Sequence, residues 1–234
     1  MKTFQDLQEG LNDPNIFKAF FLAGGPGSGK SFVVRTTTGG TGLRIVNSDD
    51  VFEKYLKDAG LELDMRTTQA EREEEERDKL RGRAKAITKK KEKNYIEGRI
   101  GLIIDGTGKD YDKIAEHSIY LRRLGYDTHM IFVNTSLDVA LERNAKRERS
   151  VRDSVATNSW RAVQSNIGKF SQHFRQNFIV VDNNDADAKD PQIFNDVLRQ
   201  IRRLLRKKVT NPAAKQWVMQ QMKERGITIA PKGF

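Results

Sequence analysis

One stretch limits what this chain can become more than any other: KAFFLAGGPGSGKSFVV, residues 18–34, where six residues suited to a buried strand run into four glycines and then Lys30 and Ser31. Gly24, four intervening residues, Gly29, Lys30 and Ser31 satisfy the pattern G-x-x-x-x-G-K-[ST]. The pattern has a mechanical cause. A phosphate chain can lie against backbone N–H groups only where side chains do not intrude, and glycine both removes the Cβ and accepts the φ values that turn successive N–H groups inward. A helix beginning near Gly29 adds its positive end. Gly24, Gly25, Gly27, Ser28, Gly29, Lys30 and Ser31 are therefore the expected cradle of a nucleotide: Lys30 reaches the β and γ phosphates, and the Ser31 hydroxyl ligates Mg²⁺. A glycine-rich turn is the alternative, but the motif, the preceding strand and the following helix all agree on the cradle.

The rest of the chain repeats the same rhythm. KAFFLA (18–23), LRIV (43–46), GLIID (101–105), THMIFV (128–133) and NFIVV (177–181) have the length and continuity of strands buried on both faces. Helical periodicity follows each, as in Ile114, His117, Leu121 and Leu124 before Gly125. This predicts an α/β fold in three layers, a five-stranded parallel sheet flanked by helices. Residues 64–98, acids first and bases later, read as a helical insertion between strands 2 and 3, either a solvated surface element or an acceptor-binding arm. Residues 1–190 are expected to form the main domain, and 191–234 a C-terminal helical extension packed on it, broken at TNP and ending its second helix near Gly226.

Ligands of an open parallel sheet collect at the carboxyl ends of its strands. After the second strand, Asp49 could accept the proton of an attacking hydroxyl or could cap a helix, with Asp50 beside it on the acceptor side. After the third, Asp105 could hold Mg²⁺ or its water, and Gly106, Thr107 and Gly108 could approach the acceptor, although a turn also needs Asp and Gly. After the fourth, ALERNAKRERSVRDS reads as a helix that places Arg143 and Arg147 on one face, with Arg149 and Arg152 just beyond: an arginine lid over residues 141–155, or an ordinary basic surface. Asn183, after the fifth strand, is a candidate for the adenine pocket.

Lys and Arg outnumber Asp and Glu by 42 to 32, a net charge of +10, which favours a polyanionic or phosphorylated partner. RQIRRLLRKK, residues 199–208, holds six bases and no acid, and is either a nucleic-acid contact or a solvated face. Trp160, Phe170 and Phe174 could stack on bases, but aromatics at such spacing more often belong to a core. The absence of cysteine excludes disulfides and thiolate chemistry. No run approaches the apolar length of a membrane span, so a cytoplasmic location without membrane partners is expected.

GGPGSGKS, then NSDD, DGTG and RNAKRER, together resemble the P-loop kinases that include the 5′-hydroxyl polynucleotide kinases of bacteriophages and the zeta toxins, kinases of UDP-N-acetylglucosamine. The likeness covers about residues 18 to 184. It implies the P-loop kinase fold, ATP or possibly GTP as donor with Mg²⁺, Asp49 as catalytic base, and Lys30, Arg143 and Arg147 as phosphate-binding catalytic groups. NSDD and RNAKR look most like polynucleotide kinase, IIDGTGKD more like zeta toxin. Phage kinases that phosphorylate a hydroxymethylated pyrimidine within DNA are a third relative. The chain departs from the pattern at Phe52, where phage polynucleotide kinases place an arginine for the acceptor's phosphate. Nucleic acid is thus the expected acceptor, with a UDP-sugar as the first rival and a nucleotide-binding regulatory protein without transfer as the second.

Overall fold

A computed structural model describes residues 10–66, 71–184 and 191–228. The first residues of the chain, the start of the charged segment at 67–70, and residues 185–190 and 229–234 lie outside them. Five strands form one sheet: β1 (Lys18–Ala23), β2 (Arg44–Val46), β3 (Leu102–Asp105), β4 (Asp127–Asn134) and β5 (Phe178–Asp182). All pairings are parallel, in the order β2-β3-β1-β4-β5. After β1 the chain crosses to one edge and after β4 to the other, so a crevice opens at their carboxyl ends.

The helices are α1 (Lys30–Thr38), α2 (Ser48–Asp58), α3 (Glu71–Glu97), α4 (Tyr111–Arg123), α5 (Leu137–Ala145), α6 (Asp153–Ser165), α7 (Ile167–Phe174), α8 (Pro191–Arg206) and α9 (Pro212–Arg225). The two-residue period of a strand divides the core between the two faces of the sheet. Ala19, Phe21 and Ala23 of β1 join Met130, Phe132, Leu121, Phe170 and Val218 on one face. Phe20 and Leu22 join Val33, Ile131, Val197 and Ile201 on the other. This is the expected three-layer α/β fold. Burial on both faces, expected of all five strands, fails at the edges: Ile45 on β2 is 40% exposed and Val180 on β5 47%, because an edge strand has one neighbour and incomplete helix cover.

Two additions bear on function. Among the described residues the insertion forms the helix α3, about 40 Å long at 1.5 Å per residue. It docks on α2 through a small separate core of Phe52, Leu56 and Ala84, with Leu80 packed against it. At the far end of the chain, α8 buries Val197, Ile201 and Leu204 against the sheet, while Asn211 and Pro212 start α9, whose Ala214 and Val218 enter the opposite core. Among the described residues no helix is long and apolar enough to cross a membrane.

Candidate active site

The glycine loop fills the crevice because its neighbours leave no room for side chains. A Cβ at Gly27 (φ 76°) would lie 1.9 Å from the Ala140 carbonyl oxygen of α5. At Gly29 (φ 81°) it would meet the Asn183 amide at 2.4 Å. Gly24 donates its N–H to the Thr107 carbonyl at 2.9 Å, which stitches the loop to the turn after β3. Lys30 stands at the start of α1 and donates from Nζ to the Gly24 and Gly25 carbonyls at 2.6 and 3.4 Å. Burial holds its pKa below the usual lysine value, against the pull of the Asp105 and Asp49 carboxylates. Ser31 is exposed on the first turn of α1, whereas the Ser28 hydroxyl is buried without a partner.

Opposite the loop, Asn47 organises the acids. Its Oδ1 accepts from the Asp49 N–H at 2.7 Å and so caps α2. Its Nδ2 donates to Asp50 Oδ1 and Asp105 Oδ2, both at 3.0 Å. The cap is therefore Asn47, and the Asp49 carboxylate, 61% exposed, is left for other work. Asp105 is raised above the usual carboxylate range first by burial and further by Asp49 and Asp50, while Lys30 and Arg147 act the other way. Asp50 is raised, again by burial first, with Arg35 the strongest opposing charge. Three carboxylates thus face four cations, Lys30, Arg35, Arg147 and Arg149.

The arginine segment differs from a continuous helix. α5 stops at Ala145, so Arg143 and Arg147 do not share a helical face. The cause is Asn144, whose buried amide donates to the Val151 carbonyl at 2.7 Å and accepts from the Val151 N–H at 3.2 Å, drawing residues 145–150 into a closed loop. Arg143 instead faces the strand end, with Nη2 on the Asn183 carbonyl at 2.8 Å and Nη1 buried without a partner. The loop carries Arg147 and Arg149 to the acids: Arg149 Nη2 pairs with Asp49 Oδ2 at 3.1 Å, and its guanidinium lies over the Phe52 ring, which Arg81 of α3 covers at 4.6 Å. The loop is also moored to the insertion, since Ser150 Oγ donates to Asp64 Oδ1 at 2.7 Å and Met65 N–H to the Ser150 carbonyl at 2.9 Å. Arg152 points toward this mooring, with Nε 3.4 Å from the Arg66 carbonyl, and away from the acids.

Other residues singled out in the sequence hold structural positions. The Asn183 side chain donates to the Ser28 carbonyl at 2.8 Å, so its amide nitrogen supports the loop. Gly108 is required by its packing on β1, where a Cβ would lie 2.6 Å from Ala23 Cβ, and a Cβ at Gly106 would meet only the Leu22 carbonyl, at 3.6 Å. Phe170 and Phe174 are core residues, and Trp160 donates Nε1 to the Thr135 carbonyl at 2.8 Å. Sequence reasoning missed Asn47, Asn144, Arg81 and the Asp64–Ser150 mooring. Only Asn47 left a local signal, an amide directly before the first turn of an acid-led helix.

The cradle fits a nucleotide: it is glycine where a Cβ would collide, and Arg143 Nη1 and Ser28 Oγ are buried donors in need of acceptors. Among the described residues no three acidic or histidine side chains gather to hold a metal. Mg²⁺ takes few protein ligands beside phosphate oxygens, and the oxygen donors expected for it, the Ser31 hydroxyl on the first turn of α1 and the Asp105 carboxylate at the end of β3, are of the right chemical type.

A parallel sheet in this strand order, with a phosphate cradle at its centre, defines the class: a P-loop domain of the kinase fold, built to bind a nucleoside triphosphate. The chain belongs to the AAA domain family, which it matches over residues 20–169. In structure it is similar to a protein of Chloroflexus aurantiacus assigned as a kinase, at 15% identity over 82% of this chain and 97% of that one, TM-score 0.52. It is also similar to a structure from the PezAT toxin-antitoxin system of Streptococcus pneumoniae (12% identity, 88% and 98% coverage, TM-score 0.53). The AvrRxo1-ORF1:-ORF2 complex with ATP is a third (12%, 82% and 69%, 0.53). At these identities the likeness is one of fold. No curated protein is similar enough in sequence to match the chain.

Proposed function

We propose that the protein is a kinase that moves the γ-phosphate of ATP to a hydroxyl group of nucleic acid, either a 5′-hydroxyl end or a hydroxymethylated pyrimidine. One observation carries this reading: the Asp49 carboxylate is exposed, relieved of capping by Asn47, and close enough to Lys30 to act on its charge. Asp49 is the base that takes the hydroxyl proton. The loop amides and Lys30 hold the donor's phosphates, and Arg143 and Arg147 stabilise charge on the moving group. Mg²⁺, when bound at Ser31 and Asp105, would neutralise charge between the β and γ phosphates. Asp50, Thr107 and Arg149 are the acceptor-side groups, where Arg149 beside Phe52 supplies the guanidinium that residue 52 does not, while Arg152, expected there too, reaches the Arg66 carbonyl instead. A rim holding Arg35, Arg147 and Arg149 suits an acceptor that carries phosphate groups, as a nucleic acid does along its whole length, and Arg149 must release Asp49 as the acceptor enters.

The test offers γ-labelled ATP in parallel to a 5′-hydroxyl oligonucleotide, to DNA containing 5-hydroxymethyluracil and to UDP-N-acetylglucosamine. Label should enter one of the nucleic acids, and Asp49→Asn should slow transfer by about 10²- to 10⁴-fold, with Lys30→Ala as the donor-site control. Transfer by Asp49→Asn at the parental rate overturns the assignment of the base. Label in the UDP-sugar alone overturns the acceptor, and label in none leaves a nucleotide-binding protein without transfer.

A further inference from the structure

Among the described residues a second concentration of positive charge lies at the other end of the sheet. Arg199, Arg202, Arg203 and Arg206 recur at spacings of three, one and three along α8, which puts them on one face, and Val197, Ile201 and Leu204 occupy the buried face. The arginines and Lys207 line a groove of about 710 Å³, closed on its other side by Gln176 and Asn177 in the turn just before β5. A neighbouring trough of about 980 Å³ continues past the same Gln176 and Asn177 to Arg175 and Arg122. The acids nearby are already taken: Asp196 pairs with Arg199, and Asp127 with the buried Lys18 at 2.6 Å. Among the described residues Arg202, Arg203, Arg206 and Lys207 form no ion pair, and no acid lines the groove itself. The groove opens where the strands begin, roughly 20 Å of strand from the glycine loop at their ends.

We propose that this groove is a second binding site, separate from the phosphate cradle, for the phosphodiester backbone of nucleic acid. Arginine forks match phosphate oxygens two at a time. The stripe from Arg199 to Arg206 spans about 10 Å of helix axis, the length over which one strand of a duplex carries about three phosphates. Gln176 adds an uncharged donor on the facing wall, where Asn177 is held by its own amide on the Thr128 carbonyl at 3.1 Å. A membrane surface is a poorer match, because the apolar residues of α8 that would enter a bilayer are buried in the core and the arginines line a concavity. Binding here does not depend on phosphotransfer at the loop, and it would hold a polymer on the protein through the opposite end of the sheet.

The test is equilibrium binding of a fluorescein-labelled 20-nucleotide single strand, without nucleotide or Mg²⁺, across a salt series. With three to four phosphates neutralised, the slope of log K against log salt is expected at about −2 to −3. Arg202→Gln/Arg203→Gln/Arg206→Gln should weaken binding at least tenfold and shrink the slope by about 2. These side chains are exposed, so the melting curve should not move. The corresponding triple lysine variant should keep the slope, which a merely structural role would not require, and in an Arg147→Gln/Arg149→Gln background, which removes the active-site rim's own phosphate contacts, the triple glutamine change should still shrink the slope by about 2. Unchanged affinity and slope in the triple glutamine variant overturn the proposal. So does tighter binding of polyglutamate, or of phosphatidylserine vesicles, than of the oligonucleotide. Because no transfer is measured, failure here and failure of the kinase reading are separate results.

Discussion

Gly25 and Gly27 sit two residues apart in one loop, yet only one of them is obligatory for the fold. An added methyl at Gly25 would come no closer than 3.4 Å to the Trp160 backbone. At Gly27 it would strike the Ala140 carbonyl, on backbone held at φ 76°. Backbone cannot swing aside as a long side chain can, so Gly27→Ala should cost about 1–3 kcal/mol and Gly25→Ala less than about 0.5. Chemical denaturation of the two variants measures the difference, and equal losses would mean that α5 does not press on the loop. The same local logic explains Asn47, which spends one oxygen on the cap and its nitrogen on two carboxylates. Asp49 is thereby spared a structural duty, and this separates it from the many aspartates that merely begin helices.

Between α5 and α6, a single asparagine decides where the arginines go. Asn144→Ala would leave the N–H and carbonyl of Val151 without their partners, at a cost of about 1–3 kcal/mol. It would also release the loop that holds Arg149 on Asp49. The expected result is a KM for the acceptor raised about tenfold, with the KM for ATP changed far less. Parental kinetics with only a lower melting temperature would make the clamp a purely structural device. This element also marks where the sequence stops being legible. The cradle could be read because strand, glycines, lysine and serine act on their immediate neighbours, and a contiguous motif records that. The lid could not, because Asn144 and Val151 meet across seven residues of irregular backbone, and helical spacing through NAKRER suggests a continuous helix instead. Edge exposure at Ile45 and Val180 was equally hidden, since strand order is a property of the whole sheet.

Taken whole, the sheet separates two electrostatic regimes. At its carboxyl edge acids are interleaved with the cations, whereas at its amino edge the cations gather with no acid in their groove, and His129 lies buried near them. Its ring stacks on Phe20 at 4.7 Å, and neither ring nitrogen has a hydrogen-bond partner of good geometry. Burial first, then Lys18, Lys207 and Arg122, push its pKa down from 6.5 to about 3. The sign of the consequence follows from which state binds the proton. Above pH 6.5 folded and unfolded chains both carry a neutral ring, and this group leaves stability unchanged. As pH falls from 6.5 toward 3, only the unfolded chain gains the proton, so stability drops by about 1.4 kcal/mol per pH unit, and below both values the loss is complete. Between pH 7 and pH 5 His129 alone should cost about 2 kcal/mol. His117 and His173, also lowered by burial, act in the same direction. Asp105 acts oppositely, because its raised pKa lets the folded state take up a proton before the unfolded one does. A wild-type curve therefore mixes these groups, and the informative quantity is the difference between the parent and His129→Leu, measured as urea unfolding free energy at pH 7 and pH 5. If the ring is buried and neutral, the variant loses about 2 kcal/mol less than the parent over that interval. Identical losses would mean that His129 takes up its proton in the folded protein, and that the amino edge of the sheet is more open to water than its packing implies.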